Sequence, residues 1–225
     1  MHIVPPEGDV LRGTEPFLRA IIEEPDEDTH RLVFADWLEE HGRAPRAEFI
    51  RVQVELACLP PDHPRRSALL SREKDLLTEY GERWAAPLWS LVSEWVYRRG
   101  FIEVVEIGPV CSVATHLLKD LVTGAPVRHV RFYEFVNLPR LAEALEHLAG
   151  VSTLEIEAVQ IKNNKDRQAL REILTSPHLS RLTTLHVLGD GSENGRIDNK
   201  TAELAFNSPH LSNLRELALY EWTEG

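Results

Sequence analysis

A short segment of this chain occurs twice, and this repetition constrains the fold more than any other feature of the sequence. Residues 176–187 read SPHLSRLTTLHV, and 32 residues further along the chain 208–219 read SPHLSNLRELAL. Both copies contain apolar residues in the spacing L-x-x-L-x-L. Self-similarity at a period of about 20 to 50 residues is typical of architectures in which each repeat is one supersecondary unit stacked on the next. The repetition therefore predicts a chain built, in this half, from similar stacked units.

Three weaker copies of the same spacing precede these two. They begin at Val127, at Val151 and, least clearly, at Ile102. Amphipathic segments lie between the copies, at 113–122, 138–148, 166–174 and 201–206. One strand and one helix per repeat, five times over, predict an α/β fold in which a short, irregular, right-handed solenoid carries a parallel sheet on its concave side. The spacing resembles the strand signature of leucine-rich repeats, although the repeats differ in length.

The first hundred residues have a different pattern, that of antiparallel helices joined by short connections. The predicted helices run from Thr14 to just before Pro25 and then over 29–41, 46–59, 64–80 and 84–96. The sequence thus predicts a small helical domain over 14–97 fused to a leucine-rich-repeat region of about five strands over 100–225.

Two motifs in the helical half resemble a known family. Residues 24–42 read EPDEDTHRLVFADWLEEHG, and 46–53 read RAEFIRVQ. They resemble the repeat-companion domain of planctomycete bacteria, whose signature is close to D-x-x-R-L-V-x-A-D-W-L-E-E-x-G followed by R-A-E-F-I-R-x-Q. The resemblance covers about residues 14–100. It implies a helical domain that accompanies repeats, and it assigns neither an activity nor a catalytic role to the motif residues. We expect this domain to serve also as the N-terminal cap of the repeats.

The second half resembles the ribonuclease-inhibitor-like class of leucine-rich repeats. Each such array needs its terminal apolar faces covered, and the sequence stops just after its fifth predicted strand. We therefore expect that the C-terminal repeat is covered by a partner or by self-association, or that this chain is a fragment of a longer array.

The charged residues of the first motif have a structural interpretation. Asp36 is flanked by apolar residues, so we expect it to be at least half buried and therefore paired. Arg51 on the next helix is the better partner, because a spacing of five residues does not align Arg31 with Asp36 on one helix. A purely structural role is expected for five motif residues, with Trp37 as a core anchor: Arg31, Asp36, Trp37, Glu48 and Arg51.

An enzyme or metal site on the helical domain is the alternative interpretation of this motif. It would use Asp36, Glu40 and His41; Asp36 and Glu40 share a helix face, whereas Glu39 and His41 point elsewhere. The H-E-x-x-H spacing of zinc helices is absent. A third hypothesis gives the helical domain a structural or regulatory role, docking onto a domain encoded elsewhere.

The residues between the apolar positions of each strand are expected to face the concave side of the sheet. Glu106, Arg131, Glu155 and His186 would form a central row of alternating charge. The row before it would consist of Val104, His129, Thr153, Thr184 and Glu216, and the third row, after it, of Gly108, Tyr133, Glu157, Leu188 and Tyr220. The interpretation as a protein-binding surface uses Arg131 with Tyr133, Leu188 and Tyr220 as anchors, because aromatic residues and Arg dominate interface energies. A solvated, self-neutralising sheet face is the alternative. The candidate binding residues are Glu106, His129, Arg131, Tyr133, Glu155, Glu157, His186, Leu188, Glu216 and Tyr220.

Composition excludes several other classes of function. The chain has 25 basic and 36 acidic side chains, a formal charge of −11, and the acidic excess is spread over both halves, which disfavours nucleic-acid binding. Nucleotide-binding glycine motifs are absent, and we expect neither cofactor nor metal. No apolar run is long enough to span a membrane and no signal peptide is evident. Cys58 and Cys111 are expected to be reduced core residues of a cytoplasmic protein.

The sequence therefore predicts a protein that is not an enzyme. Its expected function is that of a protein–protein interaction module or scaffold, and the partner is an unknown protein.

Overall fold

A computed structural model of the protein describes residues 13–88, 91–108, 115–133, 136–190 and 197–221. These residues form a mixed α/β structure. The helices are α1 (Glu15–Glu23), α2 (Asp28–Glu40), α3 (Ala44–Cys58), α4 (Arg66–Leu76), α5 (Glu82–Ala85), α6 (Thr115–Gly124), α7 (Leu138–Glu143), α8 (Asn164–Leu174) and α9 (Asn199–Asn207). The strands are β1 (Glu94–Arg98), β2 (Phe101–Ile107), β3 (His129–Phe132), β4 (Thr153–Val159), β5 (Thr184–Gly189) and β6 (Glu216–Glu221).

The strands form one six-stranded sheet in the order of the sequence, β1-β2-β3-β4-β5-β6. From β2 to β6 each strand is parallel to the next. A helix lies in every connection between these parallel strands, as parallel pairing requires a crossover. The five strands and four intervening helices predicted from the repeats are therefore confirmed, with helix ends shifted by a few residues.

One face of this sheet is buried and the other is partly exposed. The apolar positions of the repeat pattern are the buried ones, and Val130, Leu154 and Leu185 are 0% exposed. Buried and half-buried residues alternate along β3 and β5. Strand side chains alternate between faces, so the apolar positions lie on one side of the sheet and the polar positions on the other.

The region around residue 90 differs from the prediction. The expected helix over 84–96 is wrong, because α5 ends at Ala85, a 3-10 turn follows, and β1 begins at Glu94. Trp95, Val96 and Tyr97 favour a strand. The turn to β2 consists of Arg99 and Gly100, whose φ angles are 48° and 89°. Two consecutive positive φ values are typical of a type I′ hairpin turn, so β1 and β2 form an antiparallel hairpin that adds a sixth strand.

The chain divides into two compact units, and the division is not a single cut near residue 100. The first unit takes in the described residues up to Ala86 together with 97–102 and 124–126, and the second takes in 87–96, 103–123 and the described residues from Val127 onward. The hairpin tip belongs to the helical unit, in contrast to the predicted boundary.

The core of the helical unit forms between α1, α2, α3 and the hairpin tip. It contains Ile21, Phe34, Ile50 and Phe101. The rings of Phe34 and Phe101 stack with centroids 5.9 Å apart. Cys58, in contrast to its predicted burial, is exposed at the end of α3. Cys111 lies outside the described residues. No helix of the described ranges is long and apolar enough to cross a bilayer.

Candidate functional site

The predicted pairing of Asp36 with Arg51 is confirmed, but the predicted burial of Asp36 is wrong. Arg51 donates to Asp36 Oδ1 and to Glu39 Oε2, both at 2.7 Å. The Asp36 side chain is 68% exposed. The buried stripe of α2 runs through other positions, spaced by three and four residues from Arg31. Apolar chain neighbours of Asp36 therefore do not bury it.

Glu39 was predicted to point away from Asp36, and the structure corrects this. Both carboxylates hydrogen-bond the same guanidinium, since residues three apart share a helix face. These hydrogen bonds raise the pKa of Arg51, chiefly through Asp36. The sequence had predicted Glu40, and not Glu39, on the same helix face as Asp36.

His41 has a different environment from the carboxylates of α2. Its ring stacks on Trp37 with centroids 3.9 Å apart, and its Nδ1 lies 2.7 Å from the Trp37 carbonyl oxygen. Trp37 in turn packs against the core through Phe17 and Phe34. Within the ranges that the structure describes, no group of three or more His, Cys, Asp or Glu side chains is arranged to hold a metal ion.

The remaining polar motif residues hold the helices together. Glu48 accepts two hydrogen bonds from Arg72 of α4, at 2.7 and 2.6 Å. Gln53, which the sequence analysis did not single out, is buried and accepts a 2.7 Å hydrogen bond from the Gly100 backbone N–H. Its Nε2 donates to Glu73 at 2.6 Å. Its place as the last residue of the RAEFIRVQ motif is the sequence feature that could have identified Gln53.

The pairing of Glu48 with Arg72 predicts a small, pH-dependent contribution to stability. The Arg72 hydrogen bonds lower the pKa of Glu48. The stabilisation is therefore present above the unfolded-state pKa and is lost as pH falls through the folded-state value. Both side chains are more than 40% exposed, so we expect Glu48→Gln to cost only about 0.5 kcal/mol at neutral pH and less in acid.

Urea unfolding of wild type and Glu48→Gln across a range from about pH 7 to about pH 3 measures this difference. Arg72→Gln and the double variant complete a mutant cycle that isolates the pair. A stability difference that grows as pH falls would contradict the assignment.

The polar positions of the repeat strands form the second candidate site. We call the polar sheet face the set Glu106, His129, Arg131, Glu155, Glu157, His186 and Glu216. The predicted central row is confirmed, since Glu106, Arg131, Glu155 and His186 stand opposite one another in consecutive strands. The row of His129, Thr153, Thr184 and Glu216 is also in the predicted register.

The third predicted row is interrupted. Leu188 pairs with Tyr220 as expected. Between β4 and β5, however, the register shifts after Ile156, so that Val159 stands opposite Gly189. Ala158 within this shift has a φ of 52°, which identifies a local irregularity of the bulge type. The predicted alignment of Glu157 with Leu188 is therefore absent from the regular ladder. The side chain of Tyr220 lies outside the described residues.

Arg131 is the centre of the polar sheet face. Its Nη1 donates to Glu106 at 2.9 Å, and its Nε and Nη2 donate to one Glu157 oxygen at 2.9 and 2.6 Å. Glu155 Oε2 lies 3.6 Å from its Nε. The hydrogen bond to Glu157 is the main cause of a raised pKa of Arg131. One guanidinium thus joins carboxylates from both neighbouring strands.

Two histidines extend this cluster along the sheet. His129 Nε2 lies 2.9 Å from Glu155, and His186 Nε2 lies 3.0 Å from Glu216. Glu216 is 63% exposed, whereas Glu155 is 20% exposed. With neutral histidines the polar sheet face has four carboxylates and one guanidinium, a formal charge of −3.

The arrangement is suited to recognition through preformed charges. The charged groups stand on strands, whose side chains are held more firmly than those of loops. Tyr133, which follows β3, is half-buried, and its backbone N–H donates to the Ile107 carbonyl of β2. No protein-family model, curated protein or solved structure matches the chain.

Proposed function

We propose that this protein is a non-catalytic protein-recognition module or scaffold. Its strand–helix units would be leucine-rich repeats of a short solenoid, and the helical unit would be a repeat-companion domain. A partner protein would bind the polar sheet face. The observation that carries this proposal is the alignment of Glu106, Arg131, Glu155 and His186 across four consecutive strands.

Two physical properties of this row support recognition. First, the alternating charges are already oriented by hydrogen bonds, so less side-chain ordering remains to be done on binding. Second, Arg131 and Tyr133 lie two positions apart in the chain, and arginine and tyrosine are enriched among residues that dominate interface energies. A face held in this way favours specificity for a partner of complementary charge.

Affinity capture from a native lysate, with quantitative mass spectrometry, tests this function. We expect the double variant Arg131→Ala/Tyr133→Ala to recover the partner at least about tenfold less than wild type, the loss of two anchor residues. Arg140→Ala is the matched control, because Arg140 is an exposed arginine on α7 outside the polar sheet face.

The control is expected to recover the same proteins as wild type. Circular dichroism and thermal unfolding establish that each variant is folded, and Arg131→Lys tests partial rescue by charge alone. Equal recovery by wild type and a folded Arg131→Ala/Tyr133→Ala variant would refute the proposed function.

A further inference from the structure

The repeat formed by α9 and β6 exposes apolar positions that the repeat before it buries. The two repeats are related by the 32-residue offset, and their backbones match at the helix ends. The N–H of Ser176 donates to the carbonyl three residues earlier at 3.3 Å, and the N–H of Ser208 does the same at the same distance. Leu174, the last residue of α8, is fully buried, whereas its counterpart Phe206 on α9 is 74% exposed. The local structure of a repeat therefore does not bury this position by itself.

The apolar strand positions show the same difference. Leu182, Leu185 and Val187 are fully buried, and their counterparts 32 residues later are only half-buried. These counterparts are Leu214, Leu217 and Leu219. What distinguishes the earlier repeat is that α9 and β6 follow it, with β6 paired in parallel to β5. The neighbouring repeat thus provides the cover, and the outer side of α9 and β6 continues the kind of surface that this internal interface buries.

The strand β6 also stands at one end of the six-stranded sheet. An edge strand offers backbone N–H and C=O groups to another strand, and natural proteins block such edges with lysine, proline or a bulge. β6 contains neither lysine nor proline, and its residues 217–220 are four consecutive uncharged ones. The sequence of β6 therefore favours pairing with a further strand.

We infer that a second copy of this chain covers this surface, with the two β6 strands paired antiparallel about a twofold axis at Ala218. In this register Leu217 of each copy stands opposite Leu219 of the other, which continues the apolar layer across the junction. Glu216 is kept away from its own copy in the same register. A twofold axis makes one surface complementary to itself and closes the assembly as a dimer. This inference is independent of the proposed function.

The charge of this repeat favours a second copy over a strongly charged partner. Residues 199–219 contain two basic and two acidic side chains, so this stretch is formally neutral within a chain of charge −11. Association through it therefore brings little net charge together, although two copies repel each other as whole molecules. The exposed ring of Phe206 adds apolar area that a dimer would remove from water.

Sedimentation velocity of the full chain tests the inference. We expect a shift from monomer to dimer as the protein concentration rises from about 1 µM to about 100 µM. Phe206→Ser is expected to weaken dimerisation at least about tenfold, because burial of this ring in both copies is lost. Leu70→Ser is the matched control, since Leu70 is an exposed apolar residue of α4 in the helical unit. It is expected to leave dimerisation unchanged.

The position of the twofold axis has a test of its own. Ala218→Lys or Ala218→Glu would place like charges directly opposite each other, so each variant alone is expected to stay monomeric over the same concentration range. An equimolar mixture of the two variants is expected to dimerise again, because unlike charges then meet across the axis. Circular dichroism establishes that each variant is folded.

A wild-type chain that stays monomeric at about 100 µM would overturn the inference and would leave this surface to a further repeat or to another protein. A dimer that tolerates Phe206→Ser and both Ala218 variants would overturn it as well, because its interface would then lie elsewhere. Failure of the mixed Ala218 variants to dimerise, when wild type does, would overturn the assigned strand pairing.

Discussion

Replacing Gly100 with alanine is expected to destabilise the helical unit by about 3 kcal/mol. Gly100 has a φ of 89°, a conformation that strains any residue with a Cβ atom. An added Cβ would also lie 2.8 Å from the Cα of Ile50, a backbone atom of α3. The N–H of Gly100 donates to Gln53, so the turn cannot move away without losing a buried hydrogen bond.

Gly42→Ala is the matched control for this prediction. Gly42 also has a positive φ, 74°, but no atom lies within 4 Å of its added Cβ. It therefore reports the conformational cost alone, about 1 kcal/mol. Urea unfolding of both variants gives the two free energies of unfolding. Equal costs for the two glycines would mean that the contact with Ile50 is not restrictive.

Arg31→Ala is expected to cost the same unit about 3 to 5 kcal/mol. The Arg31 side chain is fully buried. Its Nη2 donates to the Pro25 carbonyl at 2.8 Å, its Nε lies 3.5 Å from Asp28 Oδ1, and its guanidinium stands over the ring of Phe101. Truncation would leave a cavity, remove the donor to the Pro25 carbonyl and remove the cation beside the Asp28 carboxylate.

Two further variants make this prediction specific to burial. Arg31→Met fills most of the same volume without a charge and is expected to be milder than Arg31→Ala. Arg51→Ala removes an arginine that also contacts two carboxylates but is 36% exposed, and it is expected to cost no more than about 1 kcal/mol. Comparable losses for Arg31→Ala and Arg51→Ala in urea unfolding would contradict the assigned burial energy.

The repeat strands and their register could be predicted because two patterns agree: the spacing of apolar residues within each strand and the recurrence of that spacing along the chain. The apolar spacing assigns each side chain to a face, and the recurrence of the spacing aligns one strand with the next. The sequence alone therefore predicts one row of Glu106, Arg131, Glu155 and His186. β1 has no copy elsewhere in the chain, and only its Trp-Val-Tyr run and the following Arg-Gly pair indicate a hairpin.

The helical half shows where such reasoning fails. Asp36 was expected to be buried because its chain neighbours are apolar, yet neighbours along a helix point to other faces. Arg31 is buried on the core stripe of α2. The sequence did not indicate this burial, because a charged side chain is not expected at a core position. The diagonal contact of Arg131 with Glu157 was likewise missed, since it depends on reach across strands rather than on direct opposition.

The charged rows also restrict how the chain can pair during folding. Successive side chains of a strand point to opposite sides, so sliding β4 by one position would turn Glu155 inward and Leu154 outward. In such a misaligned sheet, carboxylates would occupy the apolar layer now filled by groups such as Leu185, at a large desolvation cost. Arg131 would lose its partners in the same slip. The charged rows therefore destabilise misaligned strand pairings, whether or not anything binds to them later.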